Sequence, residues 1–304
     1  MKQFLKLSGL LLVILGLSLW GCSEKTTEPG PETDMEAIQF LMEENASYFN
    51  TQNHYGDEDT TGGKFGSRSP INTFFWFRQI LSNPIILIDI YIVGDSAFVS
   101  WSGTFKGILH LFSSETDSVP PDTILHYTKD FTDYAKRYAI FKRVCSPSED
   151  PQDRRGWRLV ELSGAEVTSE NNTVQIDSVR LNCSSYPDTL LNDPLALFAK
   201  EDIITLIPEE ECTLTVYTNY AVGDSHYVFL HSWRRHIEHH RRIFNYIGNG
   251  VFTGVWFAPS NLSGAINVVH HCAFDMISRE TLKDDTLSYN ANSWLFPYKV
   301  TLSD

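Results

Sequence analysis

Three histidines crowd into His236-Ile237-Glu238-His239-His240, with His231 upstream and Arg234, Arg235, Arg241 and Arg242 around them. Imidazoles at that density can hold zinc, nickel or copper if their nitrogens converge. The glutamate follows Ile237 instead of completing an HExxH motif, and the four arginines oppose a cation. A basic contact surface, or simply a solvated strand and turn, competes with metal binding through His236, His239 and His240. His270-His271 with Asp275 is a second cluster. Strand alternation puts His271 and Asp275 on one face and His270 with Cys272 on the other, so the two imidazoles point apart. Asp57-Glu58-Asp59-Thr60-Thr61-Gly62 opens like a calcium loop, but Arg68 stands where such a loop closes on a bidentate carboxylate. That stretch reads as a solvated acidic loop. Tyr48, His110, His126, Asp130 and Tyr134 are types that serve as acid, base or oxyanion donor. None lies in a motif, and there is no nucleophile elbow, phosphate-cradling glycine loop or nucleotide fingerprint. Neither catalytic residues nor cofactors are assigned, and the reading leans away from an enzyme.

Covalent chemistry is expected at Cys22. Lys2 and Lys6 precede an apolar run from Leu7 to Trp20, and Leu19-Trp20-Gly21-Cys22 closes it. This is the charged, apolar, small-residue layout of an export signal, and the run is short for a bilayer span, which needs about 20 residues. A cysteine directly after the small residue resembles the bacterial lipobox, although Trp20 stands where a small or aliphatic residue is usual. That resemblance implies cleavage after residue 21, acylation of the Cys22 thiol, and attachment to a membrane through acyl chains. Ser23 at the next position implies passage to the outer membrane.

Loss of Lys2 and Lys6 with the signal turns the chain's formal charge of −14 into −16. Such an excess argues against nucleic acid, whose phosphates need a local supply of Lys and Arg. It also leaves acyl chains, not charge, to hold a lipid surface. Another envelope protein is the expected kind of partner.

The elements that must position these residues divide at one polar stretch. Residues 22–34 form a proline-bearing tether. Met35, Ile38, Leu41, Met42, Asn45 and Phe49 then fall at helical spacing behind Asp34 as a cap. Ile71 to Leu81 reads as a second helix ended by Asn83-Pro84. Ile85–Val93 and Ala97–Phe105 flank a Gly94-Asp95-Ser96 hairpin signal, and Gly103 and Gly107 suggest a bend. Further strands are expected near 134–144, 157–162 and 174–181. With Gly156-Trp157-Arg158-Leu159-Val160 as the late strand, residues 35–183 resemble the nuclear-transport-factor-two-like cone, an α+β fold that implies a curved sheet, a helix and a pocket. Residues 184–194 read as a linker.

Residues 195–304 carry short β-rich runs, and Cys212, Trp233 and Cys272 in that order resemble an Ig-like sandwich, although Trp233 lies later than usual and His270 stands where a corner tyrosine would be. The order of the two parts, with His270-His271, Phe274-Asp275 and Pro297-Tyr298 near the end, is similar to uncharacterised two-module bacterial lipoproteins. The chain ends soon after Val300, which leaves no room for a further catalytic module. Four cysteines beyond Cys22 suggest disulfides in an exported chain and permit three pairings. Cys145–Cys183 and Cys212–Cys272 keep each bond within one expected domain; four buried thiols are the alternative.

The expected role is a lipid-anchored envelope protein acting as a binding or structural module. Small-molecule binding or isomerase-like chemistry in the cone, and metal binding by the histidine cluster, are the alternatives.

Overall fold

The computed structural model describes residues 33–49, 51, 55, 71–114, 123–144, 151–219, 226–235, 238–260 and 268–302; the side chains of 151–152 and 233–240 are not among what it describes. Cys22, the acidic loop at 57–62, Cys145 and His236 lie outside the described residues.

A long antiparallel hairpin organises the molecule. β3 (Ser96–Ser114) pairs with β4 (Ile124–Arg143) from Ser96↔Lys142 to Ser114↔Ile124. Two shorter strands share the free edge of β3: β1 (Thr73–Ile80) takes its second half and β2 (Ile85–Val93) its first. Two more share β4, β5 (Trp157–Leu162) near its end and β6 (Ala165–Ser169) near its middle. From β6 the sheet continues through β17 (Ala291–Val300), β16 (Val269–Ser278) and β12 (His226–Arg235) to β13 (Glu238–Ile243). β9 (Phe198–Ala199) attaches to β5, and β10 (Ile204–Leu206) lies parallel to β17. A second sheet runs β14 (Asn245–Gly248), β15 (Val251–Phe257), β11 (Glu211–Thr218), β7 (Ile176–Asn182), β8 (Thr189–Leu191).

This architecture overturns the expected α+β cone followed by an Ig-like sandwich. Strands account for 61% of the described residues against 13% helix, and the large sheet curls into a half-barrel. The segment read as a second helix is β1. Its Thr-Phe-Phe-Trp-Phe run favours a pleated surface, and pairing with β3 satisfies its backbone. Strands from either side of residues 184–194 pair with one another: β6 with β17 in the large sheet, and β7 with β11 in the small one.

Three α-helices occur among the described residues: α1 (Asp34–Glu44), α2 (Ala46–Phe49) and α3 (Arg279–Lys283). α1 begins one residue earlier than its apolar spacing suggests, because Thr33 caps it. The Thr33 hydroxyl accepts from the Glu36 N–H, and the Glu36 carboxylate accepts from the Thr33 N–H, a reciprocal capping box. Ala37, Ile38, Leu41 and Met42 are its buried face. Asp34 fixes the helix to the sheet, accepting from Arg143 at 2.6 Å, Arg155 at 2.7 Å and the Trp157 indole at 3.1 Å.

β16 and β17 serve two interiors at once. Their even residues, Cys272, Phe274, Met276, Trp294, Phe296 and Tyr298, pack with Leu214, Val216 and Trp256 of the second sheet. Their odd residues, Ala273, Ile277 and Leu295 among them, face into the curl and join the odd residues of β3 and β4. Period-two alternation makes this division automatic. β2, by contrast, is an outer strand whose Ile85, Leu87 and Tyr91 stay exposed.

Candidate functional site

The concave face of the curl carries charge among its apolar residues. On β4, Lys129, Asp133 and Arg137 share the buried parity with Phe131, Ala135, Ala139 and Phe141. Neighbouring strands add Arg78 from β1, His231 from β12, Arg241 from β13, and His271 and Asp275 from β16, all buried. Ionisable groups are rarely buried unless paired, so each needs an account of its partners.

Asp275 has a full set. Arg78 donates to both its oxygens in a two-pronged ion pair, at 2.7 and 3.0 Å. His231 Nε2 lies 3.0 Å from Oδ2, and the Ser293 hydroxyl donates to Oδ1 at 2.7 Å. Burial alone would favour the neutral acid. Arg78 and then His231 outweigh it and hold Asp275 well below the usual carboxylate range. Arg78 is itself flanked by the rings of Trp76 and Tyr289, at 5.2 and 5.4 Å from their centres. Arg241 closes the far side, stacked 3.8 Å over Trp76 and donating to the Trp76 carbonyl.

Asp133 is less well served. Tyr55 and Tyr289 donate to Oδ2 at 2.8 and 3.3 Å, while Oδ1 meets no partner among the described residues. Burial pushes its carboxyl up to about 6, against the pull of Arg78 and Tyr55. Protonation of Asp133 is therefore favoured over that of Asp275. The two carboxylates differ because one has a guanidinium and the other has phenols.

Arg137 is the outlier. It is fully buried, and Nη1 donates to the Tyr48 carbonyl at 2.6 Å. Nε and Nη2 meet no partner among the described residues. The rings of Phe49 and Trp101 flank it at 5.8 and 6.0 Å. Burial draws its pKa down to about 9. His271 approaches the same carbonyl at 3.3 Å, and burial followed by the Arg137 charge holds it down at about 3, hence neutral. Lys200 and Lys299 lie over the Tyr48 ring at 4.8 and 5.5 Å. This corner thus gathers cations in a chain whose formal charge is −14.

No family model and no curated protein matches the chain. Among solved structures it is similar to a pullulanase from Bacillus acidopullulyticus, at 10% identity and a TM-score of 0.15. The match covers 73% of this chain and spans 31% of the pullulanase. A likeness that slight carries no argument.

The residues singled out in the sequence are scattered over the fold. His110, His126, Asp130 and Tyr134 have the even parity of β3 and β4 and sit on the convex face; only Tyr48 borders the charged interior. His110 and His126 do meet, with ring nitrogens 2.9 Å apart, inside a ladder of stacked rings that includes Phe77 and Phe112. Partial burial, then the neighbouring His126, lowers the His110 pKa. His239 and His240 are on β13, and no group of three metal-ligating side chains occurs among the described residues. His271 and Asp275 share the inner face. Cys183, Cys212 and Cys272 are free thiols in this structure, with Cys212 and Cys272 facing one core from the two sheets, so neither thiol carries the expected bond here. The Cys145–Cys183 pairing falls outside the described residues.

Proposed function

We propose that this protein is an exported binding protein, fixed to the cell envelope through acylated Cys22, whose interior takes an anionic amphiphile against Arg137. The single observation behind the binding half is the uncompensated guanidinium. An ion moved out of water costs several kcal/mol unless it is paired, and among the described residues Arg137 meets a carbonyl and two aromatic rings. Its two open nitrogens are the adjacent edge of the fork, the geometry that a carboxylate or phosphate matches with two parallel hydrogen bonds. Phe49 and Trp101 supply apolar surface beside it, so a headgroup with a hydrocarbon tail fits the chemistry better than a free inorganic anion. The envelope half rests on the signal-like segment ending at Cys22.

The binding test uses Cys22→Ser protein and calorimetric titration with dodecanoate, with dodecanol as the uncharged control. Dodecanoate binds at least ten-fold more tightly than dodecanol, and Arg137→Met removes that preference while far-UV and near-UV circular dichroism stay native. Arg137→Lys keeps the charge but loses the fork, and it weakens binding too. Equal binding of acid and alcohol, or binding indifferent to Arg137→Met, refutes the site. For the anchor, mass analysis of the native N-terminus shows diacylglycerol on Cys22, and Cys22→Ala releases the product from the membrane fraction; an unmodified terminus refutes that half alone.

A further inference from the structure

Two of the free thiols face each other across a strand pair. In the register of β7 with β11, Leu214 opposes Leu181 and Thr213 opposes Asn182. β7 ends at Asn182, and carrying that register one residue further sets Cys212 against Cys183. Directly opposed residues of antiparallel strands have Cα atoms about 4.5 or 5.5 Å apart, depending on the type of pair. Both spacings lie within the roughly 4.4–6.8 Å that a disulfide spans. The Cys212 thiol lies within hydrogen-bonding reach of Cys183.

The surroundings hold this arrangement in place. Glu210 is buried next to β11, and its carboxylate gathers the turn that follows Cys183. It accepts from the Ser184 hydroxyl at 2.5 Å, from the Ser185 N–H and hydroxyl at 2.7 Å each, and from the Ile207 N–H at 3.1 Å. The Cys183 N–H donates to the Tyr186 carbonyl at 3.1 Å, which closes the turn from within. Both sulfur-bearing residues are thereby fixed relative to one another before any bond forms.

We propose that Cys183 and Cys212 are a disulfide-forming pair, and that the free thiols are its reduced form. This pairing replaces both of those expected from the sequence. Its occurrence in the cell rests on the export reading, since disulfides persist in oxidising compartments. The oxidant is a disulfide of a protein or a small thiol. Cys183 is the partly exposed member and reacts first: its thiolate attacks one oxidant sulfur, forms a mixed disulfide and expels one thiolate. Cys212, deprotonated as it attacks, then displaces the second thiolate from the Cys183 sulfur. The two protons lost by the cysteines end on the two thiols released, and the oxidant takes up two electrons. Burial, then the neighbouring Cys183 thiol, raises the Cys212 pKa, so Cys212 does not make the first attack; its position beside Cys183 is what carries the second.

The test treats purified, reduced full-length protein with glutathione disulfide, blocks remaining thiols, and maps the peptides by mass. The expected product joins the Cys183 and Cys212 peptides with a loss of two hydrogens and raises Tm by about 5–10 °C. Cys145→Ser and Cys272→Ser leave the product unchanged; Cys183→Ser abolishes it. A Cys145–Cys183 or Cys212–Cys272 product, or a glutathione adduct on Cys183 that never resolves, overturns the pairing. Thiol blocking in intact cells separates the two questions. A pair that closes in the tube yet is found reduced in the cell supports the pairing and refutes the export reading.

Discussion

Asp133 and Asp275 share one interior and have opposite preferences, and pH separates them. The carboxyl of Asp133 is raised to about 6, so folding favours its protonated form. Its contribution is fully present below the ordinary carboxylate pKa and is lost as pH rises through about 6. Asp275 is held low, so its contribution is lost only in more acid solution. The depressed pKa values of His231 and His271 act the other way as pH falls below the ordinary imidazole range, so the informative quantity is the difference between two proteins. Asp133→Asn gains stability relative to wild type as pH rises from about 4 to 7, by on the order of 2–3 kcal/mol. Urea unfolding at a series of pH values measures this; parallel curves for the two proteins would refute it. The charged parity of β4 was visible in the sequence. Lys129, Asp133 and Arg137 alternate in step with Phe131, Ala135 and Ala139, which marks charge on an apolar face. Polar residue types alone drew attention instead to Asp130 and Tyr134, one residue off and on the other side of the sheet. Which anion meets which cation was not legible, because Arg78 and Asp275 are brought together only by the path of the sheet.

At the level of elements, the closest approach is at Gly107. A Cβ there would lie 2.2 Å from the Gln79 carbonyl oxygen and 2.5 Å from the Phe131 ring. Neither neighbour yields cheaply, since one is the backbone of β1 and the other is core. Gly107→Ala should therefore cost about 2–3 kcal/mol, read as a lower urea midpoint with an unchanged slope; an unaffected midpoint would show that β1 can move aside. The glycine was recognisable as a special position of a long strand, and the hairpin at Gly94 was too. The strand nature of 73–80 was not. Thr-Phe-Phe-Trp-Phe followed by Arg-Gln-Ile has apolar residues at helical as well as strand spacing, and a short apolar run does not decide between them. Partnership with β3 decides it, and that partner lies some thirty residues away along the ladder.

For the molecule as a whole, the pairing of β6 with β17 and of β7 with β11 ties residues from both sides of 184–194 into both sheets. Residues 35–183 produced alone would expose one edge of β6 and leave β7 without its central neighbour. Such a fragment gives no cooperative thermal transition, and neither does 195–304; a sharp melt from either would show a self-sufficient unit. The stretch 184–194 looked like a boundary because it is polar and turn-forming, but composition reports exposure and says nothing of which strands meet across it. β16 and β17 act as a party wall, with charge in one room and grease in the other. A slip of one residue along β16 would deliver Asp275 and His271 to the greasy side and Phe274 and Met276 to the charged side. Neither room tolerates the exchange, so these two strands lock the chain into a single way of closing.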